Sequence, residues 1–382
     1  WERAEARPRN EVANARNEPA SITPVTDGQN VYVFFKDLGL LSYDSGGRLR
    51  WKVPLGPFTN SMGLAASPIL AGDSIVLLAD QEEGSYIAAF DRGNGEIRWK
   101  TTRDEKDGWA TPLLYHPPGV APHILTADRG QLGVHLLENG RRTWSQQDLS
   151  PAIVASPVLD QDTVYTFGYG NEAATPFSTP LAKYDKDHDE RLSPEEYGND
   201  PFMIGIARFG GNRDLVVTKE EWDEKQRKVL APSSLVALRL ERDPGASAGP
   251  SLRARELWRY EKNFVGVVPS PLLYEGVLYV IRNGGILTTW DPKTGQVVKT
   301  GRVPGALGGY SASPIAADGK VFLPSEEGKV VVLRAGREWE VLTVNDLDEG
   351  CYATPALSEG NIYLRSSEAL YCFGAAPRDP AV

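Results

Sequence analysis

The chain has 382 residues, with 51 acidic against 41 basic side chains and a formal charge of −10. No surplus of Lys and Arg is available to displace counterions from phosphates, which excludes nucleic acid and anionic membranes as principal partners. No run of 18 apolar residues is present to cross a bilayer as a helix, and 38 Gly with 28 Pro call for many turns without reaching the roughly 25–30% typical of low-complexity disorder.

The chain opens at Trp1 instead of Met, as a processed or trimmed form does, and carries only Cys351 and Cys372, too few for a structural zinc site. A Ser/Thr-Pro step then recurs at Thr23-Pro24, Ser67-Pro68, Thr111-Pro112, Ser156-Pro157, Ser270-Pro271, Ser313-Pro314 and Thr354-Pro355. Successive prolines lie 44, 44, 45, 114, 43 and 41 residues apart. The one long interval places an insertion in the fourth repeat.

Each repeat reads as four short strands. After the Ser/Thr-Pro strand comes a tight turn, with Asp27-Gly28 and Asp318-Gly319 suited to the positive φ of a type I′ hairpin. A β-branched and aromatic run follows, such as Val31–Phe35, Ile75–Leu78 and Val277–Ile281. A third strand ends near an Asp and a Gly turn, as in Ala88–Asp91 through Gly95, and a Trp marks the fourth: Trp51, Trp99, Trp144, Trp258 and Trp339. Four antiparallel strands in 40–45 residues predict a β-propeller blade. The runs are continuous and apolar, as burial on both faces requires. Seven first strands stand against six internal fourth strands. The count balances if Trp1–Ala4 pairs with the last sheet at 353–373, so an all-β seven-bladed propeller closed by its N-terminal strand is expected. Eight blades are expected only if a blade's worth of chain is missing upstream.

The predicted segments are 1–171 for the first blades, 172–231 for the insertion and 232–382 for the remainder. Within the insertion, Asp185, Asp187, Asp189 and Glu196 occupy positions 1, 3, 5 and 12 of an EF-hand-like calcium loop. The carbonyl of Arg191 stands at position 7 and Ser193 at position 9. A hard dication of calcium's size takes six to eight oxygens, and a bidentate Glu closes the shell. Position 6 is Glu190 where Gly is expected, which costs roughly 1–2 kcal/mol in the left-handed region. A second loop over 210–221 keeps Asn212, Asp214, Thr218 and Glu221 but has Gly210 at position 1, so a metal-free structural partner is expected there. Phe202–Ile206 between them is expected to supply a shared apolar face, and the calcium is expected to be structural. Asp243–Pro250 is expected to be a flexible loop.

Loops ahead of the first strands offer Asn60, Trp109, Asn263, Tyr310 and Tyr352 around one channel mouth, where a protein, peptide or glycan could be gripped. The competing expectation is that these side chains fill the channel or pack between blades. His116, His123, His135 and His188 are scattered and form no catalytic or metal motif.

Ser-Pro, a Gly turn, Val-Tyr-Val, Ala-Phe-Asp with a following Gly, then Trp-Lys together resemble the pyrroloquinoline quinone-type propeller repeat, most literally over Ala66–Lys100 and Pro269–Val298. That repeat is shared by quinoprotein alcohol dehydrogenases and by the non-enzymatic propeller lipoprotein of the bacterial outer-membrane barrel-assembly machinery, which the chain resembles. The alcohol-oxidising members hold their quinone against a ring of two adjacent cysteines, whereas Cys351 and Cys372 are 21 residues apart. No Cys-x-x-Cys-His for a haem is present, and no Asp or Glu sits in a local motif that carries over. The resemblance therefore implies an exported, periplasmic or secreted monomer that binds or scaffolds a partner, without the quinone and without catalytic residues. The alternative is a quinone-dependent oxidoreductase acting on an alcohol or sugar. Two free thiols are expected in preference to a bridge. A lipid-anchored form needs a Cys near the start, and none stands there.

Overall fold

The computed structural model describes residues 1–8, 17, 21–60, 62–106, 108–171, 173–209, 211–243, 252–262 and 268–374. The fold is a seven-bladed β-propeller built from antiparallel sheets whose strands follow chain order. The first sheet is β1 (Val25–Thr26), β2 (Asn30–Phe35), β3 (Gly39–Asp44) and β4 (Leu49–Val53); the second is β5 (Ile69–Ala71), β6 (Ser74–Ala79), β7 (Tyr86–Asp91) and β8 (Ile97–Thr102). The third is β9 (Leu113–Tyr115), β10 (His123–Asp128), β11 (Gln131–Leu136) and β12 (Arg142–Gln146); the fourth is β13 (Val158–Asp160), β14 (Thr163–Gly168), β15 (Ser234–Arg242) and β16 (Leu252–Glu261). The fifth is β17 (Leu272–Tyr274), β18 (Val277–Arg282), β19 (Ile286–Trp290) and β20 (Val297–Arg302); the sixth is β21 (Ile315–Ala317), β22 (Lys320–Pro324), β23 (Lys329–Arg334) and β24 (Glu340–Asp346). The last is β25 (Ala356–Ser358), β26 (Asn361–Arg365) and β27 (Leu370–Phe373). Among the described residues, four helices lie between β14 and β15: α1 (Ser178–Tyr184), α2 (Pro194–Tyr197), α3 (Pro201–Phe209) and α4 (Lys219–Val229).

Two compact units divide the chain. Trp1–Ile153, Gly168–Ser233 and Glu241–Arg253 form one, and Val154–Phe167, Ser234–Leu240 and Ala254–Val382 form the other. The same packing rule operates inside each. In the first unit, Ile75 and Leu77 of β6 pack with Tyr32, Phe34 and Leu40 of the first sheet. Their neighbours Val76 and Leu78 point the opposite way and pack with Ile124 of the third. Successive side chains of a strand face opposite sides of the sheet, so burial of both faces demands an uninterrupted apolar run. In the second unit, Tyr279 and Ile281 of β18 join Val321 and Leu323, while Leu278 and Val280 join Tyr165 and Leu235.

The repeating Ser/Thr has a structural task. Its backbone N–H donates to the hydroxyl of the equivalent residue one sheet further on: Thr23 to Ser67 at 3.0 Å and Ser67 to Thr111 at 3.0 Å in the first unit. In the second unit Ser156 donates to Ser270 at 3.0 Å, Ser270 to Ser313 at 3.0 Å and Ser313 to Thr354 at 2.9 Å. Hydroxyls thus satisfy backbone donors that no strand pairs. The repeating Trp and Gly are also one device. The indoles of Trp51, Trp99 and Trp258 donate to the carbonyls of Arg92, Leu137 and Pro292 in the turn of the following sheet. Gly95, Gly140 and Gly295 of those turns have φ of 80°, 72° and 71°.

Two expectations need revision. Trp1–Ala4 form no strand, and among the described residues the last sheet has three strands, not four. Side-chain bonds hold the segment elsewhere: the Trp1 indole donates to the Ser45 carbonyl at 2.9 Å, and Arg3 donates to the Gly47 carbonyl at 2.5 Å. Trp1 thus treats the first sheet's turn as Trp51 treats the second's, without strand pairing of its own backbone. Asp318-Gly319 form the expected two-residue turn with φ of 52° and 66°. At Asp27-Gly28, by contrast, the loop is longer, because the Asp27 carboxylate accepts from the Gln29 and Asn30 N–H groups and only Gly28 has positive φ. Cys351 is buried, Cys372 is exposed, and both are free. Apart from Asp243, the expected flexible loop at 243–250 lies outside the described residues.

Candidate functional site

The insertion has its own core. Phe177, Leu192, Tyr197, Met203, Ile206, Ala207, Val217 and Trp222 are buried together, so the predicted apolar face at 202–206 is used, with Phe202 edge-on against Trp222. Two loops of matching conformation flank this core. Each ends in a capping box, Ser193 with Glu196 and Thr218 with Glu221, in which the hydroxyl and the third-position carboxylate satisfy helix-terminal N–H groups. Leu192 and Val217, at the eighth position of each loop, exchange backbone bonds of 3.1 and 2.9 Å. Positive φ recurs at the fourth and sixth positions of both: His188 at 62° and Glu190 at 62°, Arg213 at 63° and Leu215 at 69°.

In the first loop Asp185, Asp187 and Asp189 each place a carboxylate oxygen within 4.8 Å of the others. Asp185 accepts from the His188 N–H at 2.8 Å, and Asp189 accepts from the Arg191 N–H at 2.8 Å. Glu196 accepts from the Lys186 and Ser193 N–H groups at 2.9 and 2.8 Å, and these backbone donors hold its carboxyl below the ordinary carboxylate range. In the second loop the Asn212 side chain donates to Asp214 at 2.9 Å, and Glu221 accepts from the Asn212 and Thr218 N–H groups. Gly210, the first position there, lies outside the described residues.

The channel-mouth candidates do not behave as a group. Tyr310 is 1% exposed and belongs to the apolar core of the second unit, its hydroxyl donating to the Ala306 carbonyl at 2.8 Å. Its aromatic ring is consumed by packing, which matches the competing expectation and not a place at a channel mouth. Asn60 donates to the Asp80 carbonyl at 2.9 Å, and Trp109 donates to the Gly63 carbonyl at 3.2 Å, so both fasten loops. Tyr352 is 62% exposed. Asn263 lies outside the described residues.

A buried charge cluster escaped the sequence reading. Arg103, just after β8, donates to Asp80 at 2.7 and 3.2 Å and to Asp128 at 2.7 Å. Its third neighbour is Glu105, which also accepts from Gln131 at 2.5 Å and pairs with Arg142. His135 donates through Nδ1 to the Gly140 carbonyl and faces Arg103 with Nε2 at 3.1 Å. Burial, then the guanidinium of Arg103, hold its imidazole down at about 4, so the ring is neutral near pH 7. These residues share no local motif. The available signal is an Asp at or just after the second strand in three successive repeats: Asp37, Asp80 and Asp128.

The family described as outer membrane protein assembly factor BamB matches residues 1–189 and 246–377. The match leaves out residues 190–245, which hold α2, α3, α4 and β15. The curated outer membrane protein assembly factors BamB of Escherichia coli (strain K12) and Shigella dysenteriae serotype 1 (strain Sd197) are each 25% identical over 211 residues, 54% of this chain and 46% of theirs. The chain spans about half the length of the curated relatives it matches. Among solved structures, BamB from Moraxella catarrhalis superposes with a TM-score of 0.58 at 12% identity, over 91% of this chain and 82% of that one. The computationally designed Ika8 protein gives 0.54 at 11% identity, over 92% and 82%. At such identities the likeness is one of fold alone.

Proposed function

This chain belongs to the family of outer membrane protein assembly factor BamB, and from that premise we propose that it is a protein-binding scaffold for assembly of outer-membrane proteins, working in the periplasm or as a secreted protein. The single observation that carries this reading is the extent of the family match, 1–189 and 246–377, which takes in residues of all seven sheets. A repeat spent on packing supplies a rigid surface and no chemistry of its own. The test is affinity isolation of the full chain from its own envelope extract under mild crosslinking. Recovery of the barrel-assembly components supports the scaffold. Dye-linked oxidation of an alcohol or sugar after reconstitution with pyrroloquinoline quinone and calcium overturns it in favour of the oxidoreductase alternative.

In the same reading the insertion carries one structural Ca²⁺ in its first loop. Asp185, Asp187, Asp189, the Arg191 carbonyl, Ser193 through water and Glu196 would hold it. Support comes from the donor set: three carboxylate oxygens within 4.8 Å of one another are hard ligands whose mutual repulsion a dication relieves. Bound calcium would supply charge neutralisation and tie the two loop ends together. The second loop, with Gly210 in place of a first carboxylate, is read as metal-free. Calorimetric titration with calcium chloride checks this: one site of Kd about 10⁻⁴–10⁻³ M is expected, abolished in Asp185→Asn, and no heat at millimolar calcium rejects the site.

A further inference from the structure

The Arg103 cluster holds more negative charge than its cations balance. Asp80, Glu105 and Asp128 have side chains 0%, 5% and 1% exposed, against a single buried cation, Arg103, at 2%. Arg142 reaches Glu105 from β12 but is 39% exposed, and His135 on β11 adds no charge. Within the cluster the donors are used up unevenly. Asp80 takes two bonds from Arg103 and Glu105 takes Gln131 and Arg142, while among the described residues Asp128 Oδ1 and Glu105 Oε2 have no hydrogen-bond partner. The surroundings leave little room for solvent: a Cβ on Gly108 would fall 2.5 Å from Asp80 Oδ2, and one on Gly133 would fall 2.7 Å from Thr126 Oγ1.

We propose that this cluster is a proton-controlled latch between the second and third sheets, closed while Asp128 is a neutral carboxylic acid and loosened when that proton leaves for solvent. Three carboxylates around one buried guanidinium cannot all ionise cheaply. Asp128 is the one with the fewest compensating donors. Protonation gives the cluster a hydrogen where it has two acceptors without donors, and it leaves the pair of Arg103 with Asp80 intact. Burial raises the Asp128 carboxyl to about 7, with Arg103 opposing and the Asp80 and Glu105 charges adding to the rise. Arg103 is the link: it bonds Asp80 of the second sheet and Asp128 of the third at once. An ionised Asp128 keeps its attraction to Arg103 but adds repulsion from Asp80 and Glu105 and a buried charge that nothing offsets, and this loosens the packing of the two sheets around the cluster.

The latch is tested by hydrogen–deuterium exchange on the full chain at pH 6 and pH 8.5, corrected for the intrinsic pH dependence of exchange. Peptides covering β8, β10 and β11 are expected to lose protection by about tenfold or more at the higher pH. Asp128→Asn, which mimics the neutral acid, is expected to be equally protected at both. Equal protection of the unmodified chain at both pH values overturns the proposal, as does the same pH dependence in Asp128→Asn. A second readout needs no variant: the Asp128 carboxyl carbon should titrate near pH 7 by carbon-13 NMR, and a midpoint below 5 overturns the latch.

Discussion

A Cβ built on Gly95 would lie 2.8 Å from the Trp51 ring, at a residue whose φ is 80°. Glycine is therefore required twice, for its backbone angle and for the indole that covers it. Gly95→Ala is expected to cost about 1 kcal/mol in backbone strain and roughly 1–3 kcal/mol more in displacing Trp51. Gly72, with φ of 59° and nothing within 4 Å of its Cβ position, separates the two effects. Its alanine variant should lose only the backbone part in urea unfolding. Equal losses for both variants would refute the role of the indole.

The hydroxyl relay predicts a substitution pattern. Ser270 accepts from the Ser156 N–H and donates its own N–H to Ser313. Ser270→Ala removes only the acceptor and leaves one buried-edge donor unpaired, at a cost of about 1–2 kcal/mol. Ser270→Thr should be nearly neutral, because Thr111 and Thr354 already do this task at equivalent positions. Chemical denaturation of the two variants distinguishes a hydroxyl requirement from a requirement for small volume.

Arg103→Met keeps the length of the side chain and removes the buried cation that the three carboxylates of this cluster share. The carboxylates of Asp80, Asp128 and Glu105 would then face one another without their shared partner. Removal of one member of a buried ion pair costs about 3–5 kcal/mol, enough to unfold a marginal chain. A fall in the urea midpoint is the expected result. A variant as stable as the parent would mean that the cluster is hydrated and contributes little.

The blade count was legible because its markers are local. Ser/Thr-Pro, Gly and Trp each serve a contact that recurs once per repeat, so spacing alone exposes them. The loop carboxylates were legible for the same reason, since Asp185, Asp187 and Asp189 lie within five residues. Two features were not. Trp1 carries the side-chain role of a fourth-strand Trp, yet its backbone pairs with no strand, and side-chain identity cannot report backbone pairing. The Arg103 cluster joins residues 23–32 positions apart, and nothing in a single repeat marks them as partners. Tyr310 shows the converse, an aromatic whose place before a first strand suggested a mouth but whose ring lies in the core.

Glu190 sits at the sixth position of the first loop with φ of 62°, a conformation that disfavours any side chain. Glu190→Gly should relieve about 1 kcal/mol of strain, partly offset by the greater freedom of glycine in the unfolded chain. The expected result is an unchanged or slightly higher thermal midpoint in the absence of calcium and tighter calcium binding by calorimetry. Weaker binding would show that the Glu190 carboxylate contributes more than its backbone strain removes.

Asp27 is one of the carboxylates that contribute to the acid side of the stability profile. Burial alone pushes its carboxyl up, but the backbone N–H groups of Asn30 and Gln29 and the Tyr32 hydroxyl donate to it and hold it well below its ordinary value. A carboxyl depressed in the folded state binds fewer protons there than in the unfolded chain, so its contribution is complete above about pH 4 and is lost as pH falls further. Asp27→Asn exchanges charge-assisted bonds for neutral ones and should cost roughly 1 kcal/mol near pH 7. The gap between variant and parent should narrow steadily as pH drops below about 4, where the unfolded chain takes up a proton that the folded parent does not. Thermal midpoints measured from pH 2 to 7 decide the matter: a gap that stays constant across the range would show that shape, and not charge, makes Asp27 the residue for this turn.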